Sequence, residues 1–215
     1  MDIHRPRPWR GLPTLLKAHL IVVTGLFAIG LGASAAAAPL PQVAMQTPEG
    51  RIVVELDVVH APVTAANFLT YVDRGLYQGA HFYRVVRPGN DPRPEMPMSV
   101  VQGGIAPAKA PLPPIAHEST RATGLKHDEG AISMARGAPG SADSEFFIVI
   151  GQAPGLDFGP GRNPDGQGYA VFGHVVRGMD VVRRIDAAPA GLGAGVMKGQ
   201  LLDKPVPITA MTRVR

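Results

Sequence analysis

The chain is interrupted too often for long helices or a wound parallel sheet. Runs of branched and aromatic residues recur along it, each short and each ended by a bend residue. The sequence carries 26 Gly and 22 Pro in 215 residues. Gly supplies backbone bends that other residues resist, and Pro removes a backbone donor, so this density favours short elements joined by turns. The runs are VAMQT (43–47), RIVVELD (51–57), HFYRVV (81–86), SVVQG (99–103), GAISMA (130–135), EFFIVI (145–150), YAVFGHVV (169–176) and VPITAMTRV (206–214). All read as strands, and the first two flank PEG as a hairpin. Two segments have helical spacing instead. In 61–76, Ala65, Phe68, Leu69 and Val72 fall on one face, Pro62 suits the first turn, and Gly75 marks a stop, although no N-cap side chain precedes. In 178–188, Val181, Val182 and Ile185 share a side. With no βαβ rhythm and no internal repeat, the pattern predicts a mainly β fold: a closed eight-stranded antiparallel barrel with a helix capping each end. Side chains fill the interior of a barrel that size, which leaves function to its outer surface and loops.

The isoelectric point near 9.7 points towards nucleic acid or membrane at first sight. The excess is concentrated at the N-terminus, where Arg5, Arg7, Arg10 and Lys17 stand against Asp2 alone. Beyond them the chain is nearly neutral, so no nucleic-acid partner is expected. The basic start, the apolar run LIVVTGLFAIGLG (20–32) and the small residues ASAAAAP form the pattern of a secretory signal peptide. Its 13 apolar residues fall short of the roughly 20 that a membrane span needs. The expected organisation is a signal peptide over 1–35 cut after Ala35, a linker over 36–42 and one domain over 43–215. A membrane is expected as partner only if this leader stays uncleaved as an anchor, an alternative left open by the lack of Lys, Arg, Asp and Glu from Ala18 to Pro48. Export to a periplasm and a monomeric state complete the expectation.

Several chemistries are excluded or disfavoured. The chain has no Cys, so thiolate catalysis, thiolate metal sites and disulfides are out. Its seven His show no zinc-type spacing, and neither a Gly-x-Ser-x-Gly elbow nor a phosphate loop occurs. No cofactor and no metal are expected. GPGRNPDGQG (159–168) reads as a turn-rich loop, and the charges of KHDEG (126–130) as a solvated bend. In HFYRVVRPGNDPRPEMPMSVVQGG (81–104), Arg84 stands among strand formers. An irregular insert with four prolines and two methionines then precedes VVQGG.

Taken in order, an aromatic-x-Arg-Val strand, Gln-Gly-Gly, GAISMA, SEFFIVI, YAVFGHVV and a Gly-Met-Asp helix make the sequence resemble a cyclophilin, a peptidyl-prolyl cis–trans isomerase. The opening TPEGRIVVELD…APVTAANFLTYVDRGLY agrees, and the likeness spans essentially the whole domain after the leader, most resembling the bacterial exported branch. The resemblance implies that Arg84 is the catalytic arginine and that Phe147 and Leu156 line a proline pocket. It implies that Gln102 contacts substrate backbone and that Ala135, Arg136 and Gly137 form the rim where a peptide runs. The implied partner is a flexible, proline-containing polypeptide.

Departures from the family fall in the same region. Ser99 and Val100 occupy the places of a Phe and a Met that wall the family's pocket, and the loop before them is longer. Met96 or Met98 could fold back to fill the gap. Glu145 replaces a Gln and could pair with Arg84. Arg136 replaces an Asn, and Tyr169 a His. Gly155 stands where many members carry a Trp before Leu-Asp. On these residues a weakly catalytic peptide-binding module or holdase is the rival to an isomerase. Cyclosporin binding in the family leans on that Trp, so weak binding is expected. Titration calorimetry of the purified chain should give no sub-micromolar dissociation constant.

Overall fold

The computed structural model describes residues 38–106 and 109–214. The expected signal segment lies outside them. Among the described residues no helix is long and apolar enough to cross a membrane.

The chain opens with a hairpin of β1 (Gln42–Thr47) and β2 (Gly50–Leu56). Helix α1 (Pro62–Asp73) follows, then β3 (His81–Val86) and β4 (Val100–Gly104). A one-turn helix α2 (Thr120–Thr123) precedes β5 (Ala131–Met134) and β6 (Phe146–Val149). Strand β7 (Ala170–Arg177) leads into helix α3 (Met179–Asp186), and β8 (Ala190–Leu192), β9 (Leu201–Pro207) and β10 (Ala210–Arg213) close the chain. Gln42 pairs with Glu55, so the sheet takes up a residue expected in the linker.

The strands form one antiparallel sheet in the order β10-β1-β2-β7-β5-β6-β4-β3-β9-β8. The count is ten, not the expected eight. The short β8 and residues 201–205 of β9 lie outside the expected runs, and VPITAMTRV is not one strand. Its first residues pair with β3 and its last with β1. Between them the Ile208 N–H donates to Ala80 O, and the Thr209 N–H to Gln46 O. Two residues span only about 7 Å, so the two sides of the sheet must curl towards each other. Among the described residues no ladder joins β10 to β8, so the pairing that would close a barrel is not made.

The concave side is packed with side chains. Phe68 and Tyr71 of α1, Phe82, Phe146, Phe172, Ile132, Ile148 and Leu56 are fully buried. Phe68, Tyr77, Phe82 and Phe146 contact one another edge-on or tilted, at centroid distances of 5.4–6.0 Å. Ala65, Phe68, Leu69 and Val72 of α1 and Val181, Val182 and Ile185 of α3 all face this core, as their spacing predicts. The cap that α1 lacks locally comes from far away. The Glu118 carboxylate accepts from the Val63 and Thr64 N–H groups and the Thr64 hydroxyl, at 3.1, 2.8 and 2.6 Å. A carboxylate there satisfies orphan donors and complements the positive end of the helix.

Phe146 and Phe147 point to opposite faces of β6. Phe146 joins the main core, while Phe147 joins a smaller cluster with Val86, Val100, Val149, Ala153, Leu156 and Val171. Phe146→Ala should therefore destabilise the domain by about 3–5 kcal/mol, measured as a lowered urea midpoint at unchanged slope.

Candidate active site

Register assembles the site. Arg84 on β3 pairs with Gln102 on β4, Gln102 with Phe147 on β6, Phe147 with Ser133 on β5, and Ser133 with Val171 on β7. Cross-strand partners share a face, so these side chains stand in one row. At the head of the row the pairing shifts between Phe82 and Arg84 against both β4 and β9. Tyr83 is thus the extra residue of a bulge, a device that re-aims neighbouring side chains. Tyr83 and Arg84 are both half-buried instead of alternating, and both reach Gln102. The glycines after Gln102 are required by the same crowding. A Cβ on Gly103 would lie 2.7 Å from His81 O, and one on Gly104, at φ +126°, would lie 2.6 Å from Ser144 O.

The Arg84 guanidinium is held on two sides. Its Nη1 donates to Gln102 Oε1 at 2.9 Å, and its Nε and Nη2 donate to Gln200 Oε1 at 2.9 and 2.7 Å. Among the described residues these acceptors are neutral amides and none is a carboxylate. Burial draws the Arg84 pKa below its usual value, yet arginine starts so high that it stays protonated. Three of its five N–H groups are used, which leaves two for a bound molecule. Glu145 does not pair with Arg84 as its position suggested. Its Oε1 accepts from the Tyr83 hydroxyl at 2.5 Å, and that hydroxyl accepts from Gln102 Nε2 at 2.7 Å. Burial, then Glu145, raises the Tyr83 pKa, so the phenol keeps its proton. Burial also raises the Glu145 carboxyl above its ordinary value. The chain of bonds fixes the Gln102 amide with its oxygen towards Arg84.

Beside this network lies a pocket of about 80 Å³ lined by Arg84, Met98, Val100, Gln102, Ala135, Arg136, Phe147, Leu156 and Tyr169. A water needs roughly 10–15 Å³ on this measure, so the pocket has room for a small ring and not for a large cofactor. Arg84, Gln102, Val100, Ala135, Arg136, Phe147, Leu156 and Tyr169 are thus brought together as the sequence indicated. Gly137 and Glu145 stand outside the lining. The Gly137 N–H donates to Ser141 Oγ, and Glu145 borders a neighbouring groove with Tyr83. The Arg136 head is already committed to Asp165, at 2.8 and 2.9 Å, to the Gly168 carbonyl and to the face of Tyr169. It shapes the wall and is not a free donor on the rim.

The irregular insert is pinned, not loose. Asp91 and Arg162 form a two-pronged ion pair at 2.7 and 2.8 Å with both side chains nearly buried. Burial alone would raise the Asp91 carboxyl, but Arg162 and the Arg93 and Met98 N–H groups outweigh it and hold it below the usual range. Arg162 also donates to Met96 O. A side chain at Gly155 would meet Met96 and the Arg162 stem at 3.6 and 3.4 Å, so the insert and Arg162 fill the space beside that glycine. Of the two methionines, Met98 reaches the pocket.

The segment KHDEG is not simply a solvated bend. His127 is 1% exposed and stacks on Phe147 at 5.9 Å and 14°. Its Nδ1 donates to Asp157 Oδ1 at 2.8 Å, so its Nε2 accepts from the Ser133 hydroxyl at 3.0 Å. The connectivity Ser–His–Asp imitates a hydrolase triad, but Ser133 is wholly buried within the row and no substrate carbonyl can reach it. The three residues back the pocket instead. Asp157 directly follows Leu156, and Gly168, at φ +60°, lets the Tyr169 N–H reach Leu156 O at 2.9 Å. No spacing rule marks His127, and only its place shortly before GAISMA hints that it enters the sheet. Among the described residues no group of His, Asp and Glu could hold a metal ion.

Burial lowers the His127 pKa, and Asp157 only partly opposes it. The unfolded chain, with His near 6.5, therefore takes up this proton first. That contribution to stability is full above about pH 6.5 and is lost as pH falls towards the folded value. Urea unfolding between pH 7.5 and pH 5.5 should show this loss, and His127→Gln should flatten the slope whatever its absolute stability.

Comparisons with known proteins identify the family. Residues 42–213 match the family described as cyclophilin type peptidyl-prolyl cis-trans isomerase/CLD. The chain is 38% identical over 157 residues to peptidyl-prolyl cis-trans isomerase cyp18 of Streptomyces antibioticus, covering 71% of this chain and 87% of that protein. It is 38% identical over 169 residues to peptidyl-prolyl cis-trans isomerase A of Dickeya dadantii, covering 76% and 80%. The fold is similar to that of a Cryptosporidium parvum cyclophilin type peptidyl-prolyl cis-trans isomerase, with a TM-score of 0.62 at 20% identity over 82% of this chain and 98% of that one. A family match over nearly the whole described domain, with relatives 38% identical over most of their length, establishes that the chain belongs to the cyclophilin-type peptidyl-prolyl cis–trans isomerase family.

Proposed function

We propose that this chain accelerates rotation about X–Pro peptide bonds in exported polypeptides, with Arg84 as the catalytic residue. Rotation about an amide is opposed by a barrier of about 18–20 kcal/mol because the C–N bond has partial double-bond character. For X–Pro the two isomers are close in energy but exchange over roughly tens to hundreds of seconds. In the twisted amide conjugation is lost and the proline nitrogen regains a lone pair. A catalyst needs only to bind that state better than either planar one, and each ~1.4 kcal/mol of preference is worth about tenfold. No proton need be transferred and no covalent bond made.

The observation that carries this reading is a protonated guanidinium, with two N–H groups to spare, on the wall of a ring-sized pocket that also presents Met98, Val100, Phe147 and Leu156. Phe147, Leu156, Met98 and Val100 grip the proline ring. Arg84 donates to the substrate amide, and among the described residues no carboxylate forms an ion pair with it. Gln102 meets the peptide backbone beside it. The leader-like N-terminus supports export to a periplasm, and the family's chemistry needs no cofactor and no partner beyond the substrate.

One observation favours the second reading, a holdase. A wider groove of about 830 Å³ adjoins the pocket through Gln102 and is lined by Leu76, Ile105, Met197 and Leu201 among others. Such a surface could hold an apolar stretch of an unfolded chain without isomerising it.

A protease-coupled assay on a short X–Pro peptide separates the two. Arg84→Ala should lower kcat/KM by about tenfold or more, the scale of one lost charged hydrogen bond, with KM little changed. Phe147→Ala should instead act mainly through KM, because it removes grip on planar and twisted forms alike. Aggregation suppression that survives Arg84→Ala, with no catalysis in the wild type, would favour the holdase.

A further inference from the structure

We propose that Gln200 is a positioning residue for Arg84, and that the insert over residues 87–99 acts on catalysis through it. The proposal rests on the reading of Arg84 as the catalytic arginine. Gln200 is wholly buried just before β9, and every polar group it has is engaged. Its backbone N–H donates to Met197 O and its carbonyl accepts from the Val85 N–H. Its side-chain oxygen takes the Nε and Nη2 hydrogens of Arg84, and its side-chain nitrogen donates to Asn90 O at 3.0 Å. The two ends of the amide agree. One faces two donors and must be oxygen; the other faces a carbonyl and must be nitrogen.

The insert therefore decides which end of Gln200 Arg84 meets. Asn90 is itself fixed at each of its polar groups. Its side-chain nitrogen donates to Val85 O and Gly199 O at 3.2 and 2.9 Å, its side-chain oxygen accepts from the Arg87 N–H at 2.8 Å, and its backbone N–H donates to Arg87 O. Asp91, the next residue, carries the buried ion pair with Arg162. Asn90, Gln200 and Arg84 thus run as one strut from the insert to the guanidinium. Gln102 holds the opposite edge, so the plane is fixed from both sides. An amide suits this place better than a carboxylate. It orients the arginine through hydrogen bonds without offsetting the charge that the twisted amide meets.

The test follows the Arg84 Nε–H directly, by NMR on the 15N-labelled full chain, with its resonance assigned by loss in Arg84→Lys. Gln200→Leu should speed solvent exchange of that proton by about tenfold or more and lower kcat/KM on an X–Pro peptide with KM little changed. Gln200→Glu keeps the acceptor for Arg84 but loses the donor to Asn90 O, so exchange should be slower than in Gln200→Leu and faster than in the wild type. Asn90→Ala should speed exchange in the same direction but by less. A role for Gln200 in stability alone would lower the urea midpoint and leave the Nε–H exchange untouched. Unchanged exchange in folded Gln200→Leu, or no rescue in folded Gln200→Glu, would overturn the proposal. If the Gln200 variants do not fold, unchanged exchange in Asn90→Ala overturns it instead. Should the chain prove inactive on every X–Pro peptide, the exchange measurement still decides whether Gln200 holds Arg84, and only the catalytic reading falls.

Discussion

The site depends on one register. Arg84, Gln102, Phe147 and Ser133 come from four strands, and only the pairing of β3, β4, β6 and β5 makes them neighbours. A slip by one residue in any of these ladders would turn a member of the row to the other face. The bulge at Tyr83 sets where the row starts. Without the extra residue, strict alternation would send Tyr83 and Arg84 to opposite faces, and Gln102 could not bond to both. The small irregularity and the regular ladder therefore act together. One aims the guanidinium, and the other lines up what it is aimed along.

The main core serves this arrangement by leaving it little freedom. Phe146 locks β6 from the concave side while its neighbour Phe147 faces the pocket. Behind Phe147 the buried His127 is held by Asp157 and Ser133, so the aromatic floor rests on a hydrogen-bonded ring as well as on apolar packing. The insert meets the same standard by other means. Where family members use a short loop with Phe and Met, this chain uses a longer one tied down by an ion pair at Asp91 and by the bonds of Asn90. Met98 supplies the missing apolar wall from that anchored loop.

Much of this was legible in the sequence wherever a local rule governs. The bounds of β3 match HFYRVV residue for residue, and the helical faces of α1 and α3 follow from spacing. The opposite facing of Phe146 and Phe147 follows from strand alternation. Arg84, Gln102 and Leu156 were placed by ordered motifs. What could not be read is non-local. The bulge leaves no mark in the letters of HFYRVV, because it exists only against the partner strands. The split of VPITAMTRV arises because its two halves pair with strands that are far apart in sequence. Glu145, in the place of the family's Gln, suggests a partner for Arg84, but Tyr83 lies between them and takes its bond. His127 sits among charged neighbours that are solvated, and nothing local says that its ring is not. Gln200 belongs to no motif. Its importance comes from the crossing of β9 beside β3, 116 residues from Arg84 along the chain.

That separation bears on when the site comes into being. Arg84 and Gln102 are 18 residues apart and can meet in a local hairpin. The Gln200 contact has to wait for the last strands to dock, and contacts so distant in sequence form late because a long loop must close first. A chain still emerging, or cut short before β9, would hold its arginine on one side only. The site is thus completed by the final stage of the protein's own folding.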